Sequence, residues 1–342
     1  MAHITLSLRL CLFLSLIPSV IHGQSSSNVD SSTIELEYIF NKADSIPSLR
    51  SLIIHQNDTL LGERFFNGRS ADEAFNIKSA SKSIIGLLVG IAIDQGYIPS
   101  IDEPISIYFR DYFDANPNTK KESITIKNLL TMQSGLGSTS SHNYGAWVSS
   151  KHWVEHILDK DFTADINGKM VYSTGSSHLL SVIITKATGM STKAFAEQYL
   201  FTPLDIAIAG WDKDPQGYYM GGNNMALKPS DLLKIGELLL NNGYWNNKQI
   251  ISRNWIADSF KTYTYSNYNP YGYGYHWWNK KTGLYTSFFA WGHGGQYIIM
   301  IPELDAVIVM TSSVTIHSQK RLYKQPIFEL LEASIIPFLE KT

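Results

Sequence analysis

The stretch FNIKSASKSIIGLLVGIAIDQGYI, residues 75–98, carries the pattern from which the rest of the chain can be interpreted. A small, hydroxyl-rich start leads into an apolar run that closes with Asp94-Gln95-Gly96, which is typical of a buried helix. Ser79 and Lys82 are three positions apart, a spacing that puts both side chains on one helix face. A serine hydroxyl is a weak nucleophile until a base takes its proton, and a lysine can be that base when burial lowers its pKa. The pair predicts either a catalytic site or an ordinary helix start, and so short a pattern does not choose between them.

The composition predicts a folded globular protein with a substantial core. The chain has 342 residues, a formal net charge of −2 and 44% hydrophobic residues, which suits one large domain or two. The weak negative charge gives no reason to expect a nucleic-acid partner. The only cysteine is Cys11, inside the N-terminal segment described next, so the remaining chain has neither a thiol nucleophile nor a cysteine-ligated zinc site.

Residues 1–23 have the pattern of a secretory signal peptide. Arg9 is the only charge in an apolar run that ends near the small residue Gly23, and the run is short for a membrane span. An uncleaved anchor is the alternative. We therefore expect an exported protein, periplasmic or secreted, with no stable membrane insertion once the signal is cleaved. The serine-rich residues 24–33 are expected to form a flexible leader.

Hydrophobic periodicity predicts an α+β fold. Two strands, residues 50–55 and 59–66, flank an Asn57-Asp58 turn and follow a helix at residues 34–46. Period-two alternation returns late in the chain. The late strands are predicted at residues 271–278, 285–290, 296–301 and 306–312, with turns at 279–283, 291–295 and 302–305, before a final helix at 323–339.

Between these two groups of strands the spacing of apolar residues is helical. Short helices are predicted at residues 124–132, 179–188 and 230–240. The start and the end of the chain must then build one antiparallel sheet, flanked by N- and C-terminal helices and carrying a large helical insert. The predicted domains are an α/β domain, residues 34–98 and 241–342, and a mainly helical domain, residues 99–240.

Two further segments contain groups suited to catalysis. Tyr172, in a turn of small polar residues before a predicted helix, can present its hydroxyl to a cleft and relay a proton. The segment Trp291-Gly-His-Gly-Gly-Gln296 places glycines at the start of a strand, where a substrate can approach the backbone closely. Backbone N–H groups there can stabilise an oxyanion, an effect worth about 10²–10³ in rate per donor. Taken singly, each segment also fits an ordinary loop or hairpin turn.

Together these segments resemble the serine hydrolases of the β-lactamase and penicillin-binding-protein superfamily, on the class C-like branch that includes esterases and 6-aminohexanoate-dimer hydrolase. The resemblance runs from about residue 48 to 338, and its five segments keep the order of the family. They are the Ser79-Ala-Ser-Lys82 motif, residues 124–136, Tyr172-Ser-Thr174, residues 225–236 and residues 292–302. The resemblance implies a β-lactamase/transpeptidase-like fold, in agreement with the outline above.

The resemblance also implies the roles of individual residues. Ser79 would be the nucleophile, Lys82 its proton acceptor and Tyr172 a partner in proton transfer, without a cofactor or a metal. The backbone N–H groups of Ser79 and Gln296 would form the oxyanion hole. The expected substrate-contacting residues are Thr174, Trp291, His293, Gly294 and Gly295.

Two departures from the family pattern bear on the substrate. Thr174 stands where β-lactam-processing relatives usually carry an asparagine that binds the substrate amide. His293-Gly294-Gly295 stands where they carry Lys-Thr-Gly, and a histidine is mostly neutral near pH 7. The sequence therefore favours a small-molecule ester or a non-peptidic amide as substrate. A β-lactamase or D,D-carboxypeptidase is the alternative, and a non-catalytic, penicillin-receptor-like binding protein is the second. The sequence does not indicate an oligomeric state.

Two short patterns compete with this interpretation. Lys281-Thr282-Gly283 spells the missing family motif, but a hairpin turn is expected there. His152-Trp-Val-Glu-His156 spells a zinc-peptidase pattern in which both histidines would share a helix face. No convincing third ligand follows it, so an amphipathic structural helix is the preferred interpretation.

Overall fold

A computed structural model describes residues 31–314 and 324–342 of the chain, together with Met1. The predicted signal peptide, residues 1–23, and most of the predicted leader lie outside the described residues. The first helix begins at Ser31, three residues before the predicted position, so the end of the predicted leader is helical.

The helices and strands follow one another in mixed order. The helices are α1 (Ser31–Asp44), α2 (Ser81–Asp94), α3 (Arg110–Ala115), α4 (Thr119–Glu122), α5 (Ile126–Leu130), α6 (Tyr144–Val148), α7 (Trp153–Leu158), α8 (Thr174–Thr188), α9 (Thr192–Ala196), α10 (Pro229–Leu240), α11 (Arg253–Ser259), α12 (Lys324–Leu330) and α13 (Ile336–Leu339). The strands are β1 (Leu49–Gln56), β2 (Thr59–Phe65), β3 (Phe75–Asn76), β4 (Gly210–Trp211), β5 (Met225–Leu227), β6 (Tyr244–Trp245), β7 (Lys248–Gln249), β8 (Thr264–Tyr265), β9 (Gly272–Tyr273), β10 (Trp278–Thr282), β11 (Tyr285–Gly292), β12 (Gln296–Ile301) and β13 (Ala306–Ser312).

The main sheet has eight strands in the order β2-β1-β13-β12-β11-β10-β9-β8. Strand β1 pairs antiparallel with both β2 and β13, so the start and the end of the chain build one sheet, as predicted. Asn57 and Asp58 have φ values of 49° and 56°, the left-handed pair that a two-residue hairpin turn requires. The predicted α+β fold, an antiparallel sheet with flanking terminal helices and a helical insert, is confirmed.

The sheet lies between two helical layers. One face packs on α1, α12 and α13. The other packs on α2 and α10, and the core on that side continues into the helices of the insert. Helix α2 is buried from Ser81 to Ala92, because almost every position in it is small or apolar. No helix within the described ranges is both long and apolar enough to cross a membrane.

The predicted strand at residues 271–278 is wrong, because the chain turns inward between β9 and β10. His276 has a φ of 63°, and its N–H donates to the Leu130 carbonyl at 3.2 Å. The Ser83 hydroxyl donates to the His276 carbonyl at 2.6 Å. These bonds tie the segment to α5 and α2, and the run of aromatic residues gives no hint of them.

The predicted turn at residues 279–283 is also wrong. Strand β10 continues to Thr282, which pairs with Tyr285, and the turn is confined to Gly283 and Leu284. The predicted last helix is interrupted by a π-helical turn, Leu331–Ile335, between α12 and α13. Pro337 lacks the N–H that a regular helix needs at that position, and a wider turn accommodates this. Tyr323 lies outside the described residues.

Candidate active site

Ser79 lies in a 3-10 turn, Lys78–Ala80, that leads directly into α2. Lys78 has a φ of 52°, a left-handed conformation that costs a non-glycine residue free energy and recurs at functional sites. Two hydrogen bonds hold it there. The Lys78 N–H donates to Asn76 Oδ1 at 2.9 Å, and the Ser81 hydroxyl donates to the Lys78 carbonyl at 2.7 Å. The Ser79 side chain itself stays partly exposed.

Lys82 is the buried base candidate beside Ser79. Its Nζ lies 3.1 Å from Ser79 Oγ and donates to the Gly222 carbonyl at 2.7 Å, while only 1% of the residue is exposed. Burial lowers the pKa of Lys82 to about 7, so about half of the molecules carry a neutral amine at neutral pH. In that form the amine still donates to Gly222, and its lone pair is available for the Ser79 proton.

Tyr172 joins the pair from the loop before α8. Its ring centroid lies 5.2 Å from Lys82 Nζ, and its hydroxyl is close enough to Ser79 for the serine to affect the acidity of the phenol. Burial raises the pKa of Tyr172 to about 12, against the smaller, opposing effect of Ser79. The phenol therefore keeps its proton near pH 7 and can pass one on, while Lys82 is the group that is poised to accept one.

The end of β11 lies directly against the turn that contains Ser79. A Cβ added at Gly292 would lie 2.1 Å from the Ile77 carbonyl. The pairing of β10 with β11 begins at Trp278 and Phe289, so residues 290–292 extend beyond β10 and present a strand edge beside Ser79. A row of backbone groups at such an edge is where oxyanion donors are found.

Gln296, the predicted second oxyanion donor, is the first residue of β12 and lies opposite Gly292 of β11. Its side chain is fully buried and is bound to Ser312, donating to the carbonyl at 2.6 Å and accepting from the N–H at 3.1 Å. In the structure Gln296 thus holds β12 to the end of β13.

The structure also places the five predicted substrate-contacting residues. Thr174 is the first residue of α8 and is buried, and its hydroxyl lies 2.9 Å from Ser140 Oγ. His293 is exposed in the turn between β11 and β12, and Gly294 and Gly295 follow it with φ values of 91° and 108°. Trp291 is half-buried at the end of β11, stacked against Tyr297 and packed edge-on against Trp278.

Two residues near Lys82 were not anticipated. Gly222 supplies the carbonyl that holds the amine, and the Gly221-Gly222 pair in the sequence is a signal of close backbone approach that could have found it. His276 is fully buried, with its Nε2 2.9 Å from Ser177 Oγ. Burial, reinforced by Lys82, lowers the pKa of His276 to about 3. His276 is therefore neutral and adds no charge beside the amine.

The two competing patterns lie outside this arrangement. Lys281-Thr282-Gly283 is at the opposite end of β11 from Gly292, about 23 Å away at 3.3 Å per residue. His152 immediately precedes α7, one helical turn before His156. In the parts of the chain that the structure describes, no group of three or more His, Cys, Asp or Glu residues could hold a metal ion.

Comparison with known proteins agrees with the geometry. A family model described as Beta-lactamase matches residues 40–324. The 6-aminohexanoate-dimer hydrolase of Paenarthrobacter ureafaciens is 20% identical over 290 residues, which cover 77% of this chain and 72% of that protein.

Two solved structures have the same fold. The octameric penicillin-binding protein homologue from Pyrococcus abyssi is 17% identical with a TM-score of 0.70, and the match covers 90% of this chain and 78% of that one. EstCE1, described as a hydrolase with promiscuous acyltransferase activity, is 14% identical with a TM-score of 0.72, covering 88% of this chain and 99% of that one.

Proposed function

Because the chain belongs to the beta-lactamase family, we propose that it is a serine hydrolase that cleaves esters or non-peptidic amides through an acyl-enzyme on Ser79. The observation that carries the proposal is the contact between Lys82 Nζ and Ser79 Oγ, 3.1 Å long, with the amine buried. A nucleophile and a base within hydrogen-bond reach, with the base held by a third group, are the signature of covalent catalysis by an activated hydroxyl.

In the acylation step, Ser79 Oγ forms a bond to the substrate carbonyl carbon while neutral Lys82 takes the hydroxyl proton. The negative charge on the carbonyl oxygen would be stabilised by the N–H of Ser79 and by a backbone N–H at the end of β11. The proton then passes from Lys82, with the hydroxyl of Tyr172 as relay, to the leaving oxygen or nitrogen. A water molecule then forms a bond to the acyl carbon while neutral Lys82 takes one of its protons. The bond from that carbon to Ser79 Oγ breaks, the proton returns to Oγ, and the acid is released.

The preference for esters and non-peptidic amides rests on Thr174 and His293. The hydroxyl of Thr174 is buried and paired with Ser140, so it offers little to a substrate amide. His293 is exposed in the turn beside β11, and an imidazole attracts carboxylates less strongly than the ammonium group of the lysine that β-lactam-processing relatives carry there. Both features disfavour β-lactams and peptides that end in D-Ala-D-Ala. Binding of these substrates requires a side chain that hydrogen-bonds the amide and a cation that attracts the carboxylate.

A fluorophosphonate probe tests the nucleophile. We expect one labelled residue, identified as Ser79 by mass spectrometry, with no label in Ser79→Ala and full label in Ser230→Ala, which changes an exposed serine on α10. No label on the folded protein, or a label that survives Ser79→Ala, would contradict the proposal.

Turnover assays test the substrate class. We expect p-nitrophenyl butyrate to be hydrolysed faster than nitrocefin. Faster turnover of nitrocefin would favour a β-lactamase, whereas labelling of Ser79 without turnover of any ester or amide would favour the penicillin-receptor-like protein.

A further inference from the structure

We propose that a buried pair, His178 and Asp214, positions Lys82 by clamping the loop that contains Gly221 and Gly222 against α8. The proposal deepens the function proposed above and rests on it, because it concerns the base of that reaction. His178 and Asp214 do not touch Ser79, and so they are positioning residues.

The hydrogen bonds of the pair fix the direction of each contact. His178 Nε2 lies 2.9 Å from Asp214 Oδ2, and since a carboxylate only accepts, the proton lies on Nε2. Nδ1 is then the acceptor, and the Gly221 N–H donates to it at 3.4 Å. The other carboxylate oxygen of Asp214 accepts from the Tyr218 N–H at 2.8 Å. One imidazole and one carboxylate therefore hold both ends of the segment 218–221.

The pair is shielded from solvent. Both side chains have no exposed surface, and the rings of Trp147 and Trp153 pack against the imidazole with centroids at 5.7 and 5.4 Å. A buried polar pair of this kind costs free energy unless every group in it is satisfied. The pair is hydrogen-bonded to the loop whose Gly222 carbonyl binds Lys82. Its role therefore extends beyond packing.

The backbone of the loop that contains Gly221 and Gly222 packs closely against both α8 and the Lys82 amine. A Cβ at Gly221 would lie 2.0 Å from the Ser177 carbonyl, and one at Gly222 would lie 2.7 Å from Thr174 Cγ2 and 3.2 Å from Lys82 Nζ. The Ser181 hydroxyl donates to the Tyr219 carbonyl at 2.6 Å, one helical turn along α8 from His178. The loop thus lies flat on α8, and its Gly222 carbonyl points at Lys82.

Loss of the clamp has a specific chemical consequence. The groups that face Lys82 are the Ser79 hydroxyl, the Tyr172 phenol and the neutral His276 imidazole, so burial dominates its acidity. If the loop lifts, water reaches the amine and the pKa of Lys82 rises toward its ordinary value of 10.5. A rise of the pKa from about 7 to 8 lowers the neutral fraction at pH 7 about fivefold, and each further unit lowers it about tenfold. Raising the pH restores the neutral amine.

The test compares His178→Leu and the milder Asp214→Asn with His55→Ala. The last variant breaks another His–carboxylate contact of 2.9 Å, between His55 on β1 and Glu237 on α10, which does not touch the loop. For each protein, the rate of fluorophosphonate labelling of Ser79 is measured from pH 5.5 to 10, and the pKa of Lys82 is measured directly by NMR with ¹³C-labelled lysine. Melting temperatures confirm that each variant is folded.

We expect a labelling midpoint near pH 7 in the wild type and in His55→Ala. In His178→Leu and Asp214→Asn the midpoint and the NMR pKa should both rise by about one unit or more, with labelling at pH 7 reduced at least about fivefold and recovered by pH 9–10. A uniform loss of Ser79 labelling at every pH, or an unchanged Lys82 pKa in a folded variant, would contradict the proposal that His178 and Asp214 position Lys82. If Ser79 of the wild type is never labelled, the proposed function is refuted instead. The NMR titration of Lys82 would still test whether His178 and Asp214 position the amine.

Discussion

At the scale of single residues, burial determines the acid–base properties of Lys82 and of its neighbour Tyr172. Its ammonium form is disfavoured by burial, whereas the same burial keeps the proton on Tyr172. One environment thus separates the acid–base roles of two neighbouring groups, because the charged form is cationic in one and anionic in the other. The proposed roles, with Lys82 as proton acceptor and Tyr172 as proton donor, rest on this physical difference.

The lowered pKa of Lys82 predicts a pH-dependent cost in stability. Between pH 7 and 10.5 the unfolded chain binds the proton that the folded chain has lost, so stability rises with pH in this window. Lys82→Met removes the effect. The variant should therefore be more stable than the wild type at pH 7, and the advantage should shrink by up to about 1.4 kcal/mol per pH unit as the pH rises to 10.

Urea unfolding of the wild type and of Lys82→Met at pH 7, 8, 9 and 10 measures this difference. The same variant should lose labelling of Ser79 at every pH, because it has no base. A difference in unfolding free energy that stays constant with pH would mean that Lys82 is not desolvated in the folded state.

At the scale of elements, the contact between β11 and the turn that contains Ser79 would fix the position of the substrate carbonyl in the proposed reaction. Gly292 is the residue that permits it, since any Cβ there would collide with the Ile77 backbone. Gly292→Ala should push the end of β11 away from Ser79, and a displacement of about 1 Å can cost roughly 10²-fold in rate.

The control for Gly292→Ala is Gly283→Ala, at the other end of the same strand. Gly283 has a φ of 63°, so the substitution strains the turn, but no atom lies near the added Cβ. Its kcat/KM for p-nitrophenyl butyrate should match that of the wild type despite a small loss of stability. Equal effects of the two substitutions on kcat/KM would show that β11 does not position the site.

At the scale of the whole molecule, α2 joins the sheet to the helical insert. Its buried side chains belong to one apolar core that includes Val309 of the sheet and Leu180 of α8. A shared core of this kind favours unfolding in a single cooperative step, although the sequence suggests two domains.

Leu180→Ala tests this cooperativity. Truncation of a fully buried leucine should cost about 2–5 kcal/mol, and the transitions followed by tryptophan fluorescence and by far-UV circular dichroism should move together. Separate transitions, with only one of them shifted, would show that the insert unfolds independently of the sheet.

Local patterns predicted much of this structure. The β1–β2 hairpin, strands β12 and β13, the buried helix after Ser79 and the broad order of helices and strands along the chain all follow from periodicity and turn residues, because these signals act between near neighbours in the chain. The strand predicted through His276 failed, since a bond to Leu130 and another to Ser83 override the alternation of aromatic residues. Propensity gives way where a distant segment offers a better partner for the backbone.

For the site, the sequence by itself determined the chemistry that is available: a serine with a lysine three residues on, a tyrosine in a small-residue turn and a glycine-rich strand end. Only the tertiary structure decided which of these groups meet. It placed Gly222, 140 residues from Lys82, against the amine, brought the end of β11 beside Ser79, and buried Thr174 against Ser140. The physical reason is that desolvation and close backbone approach depend on everything packed around a group, and no local pattern in the chain encodes that surrounding.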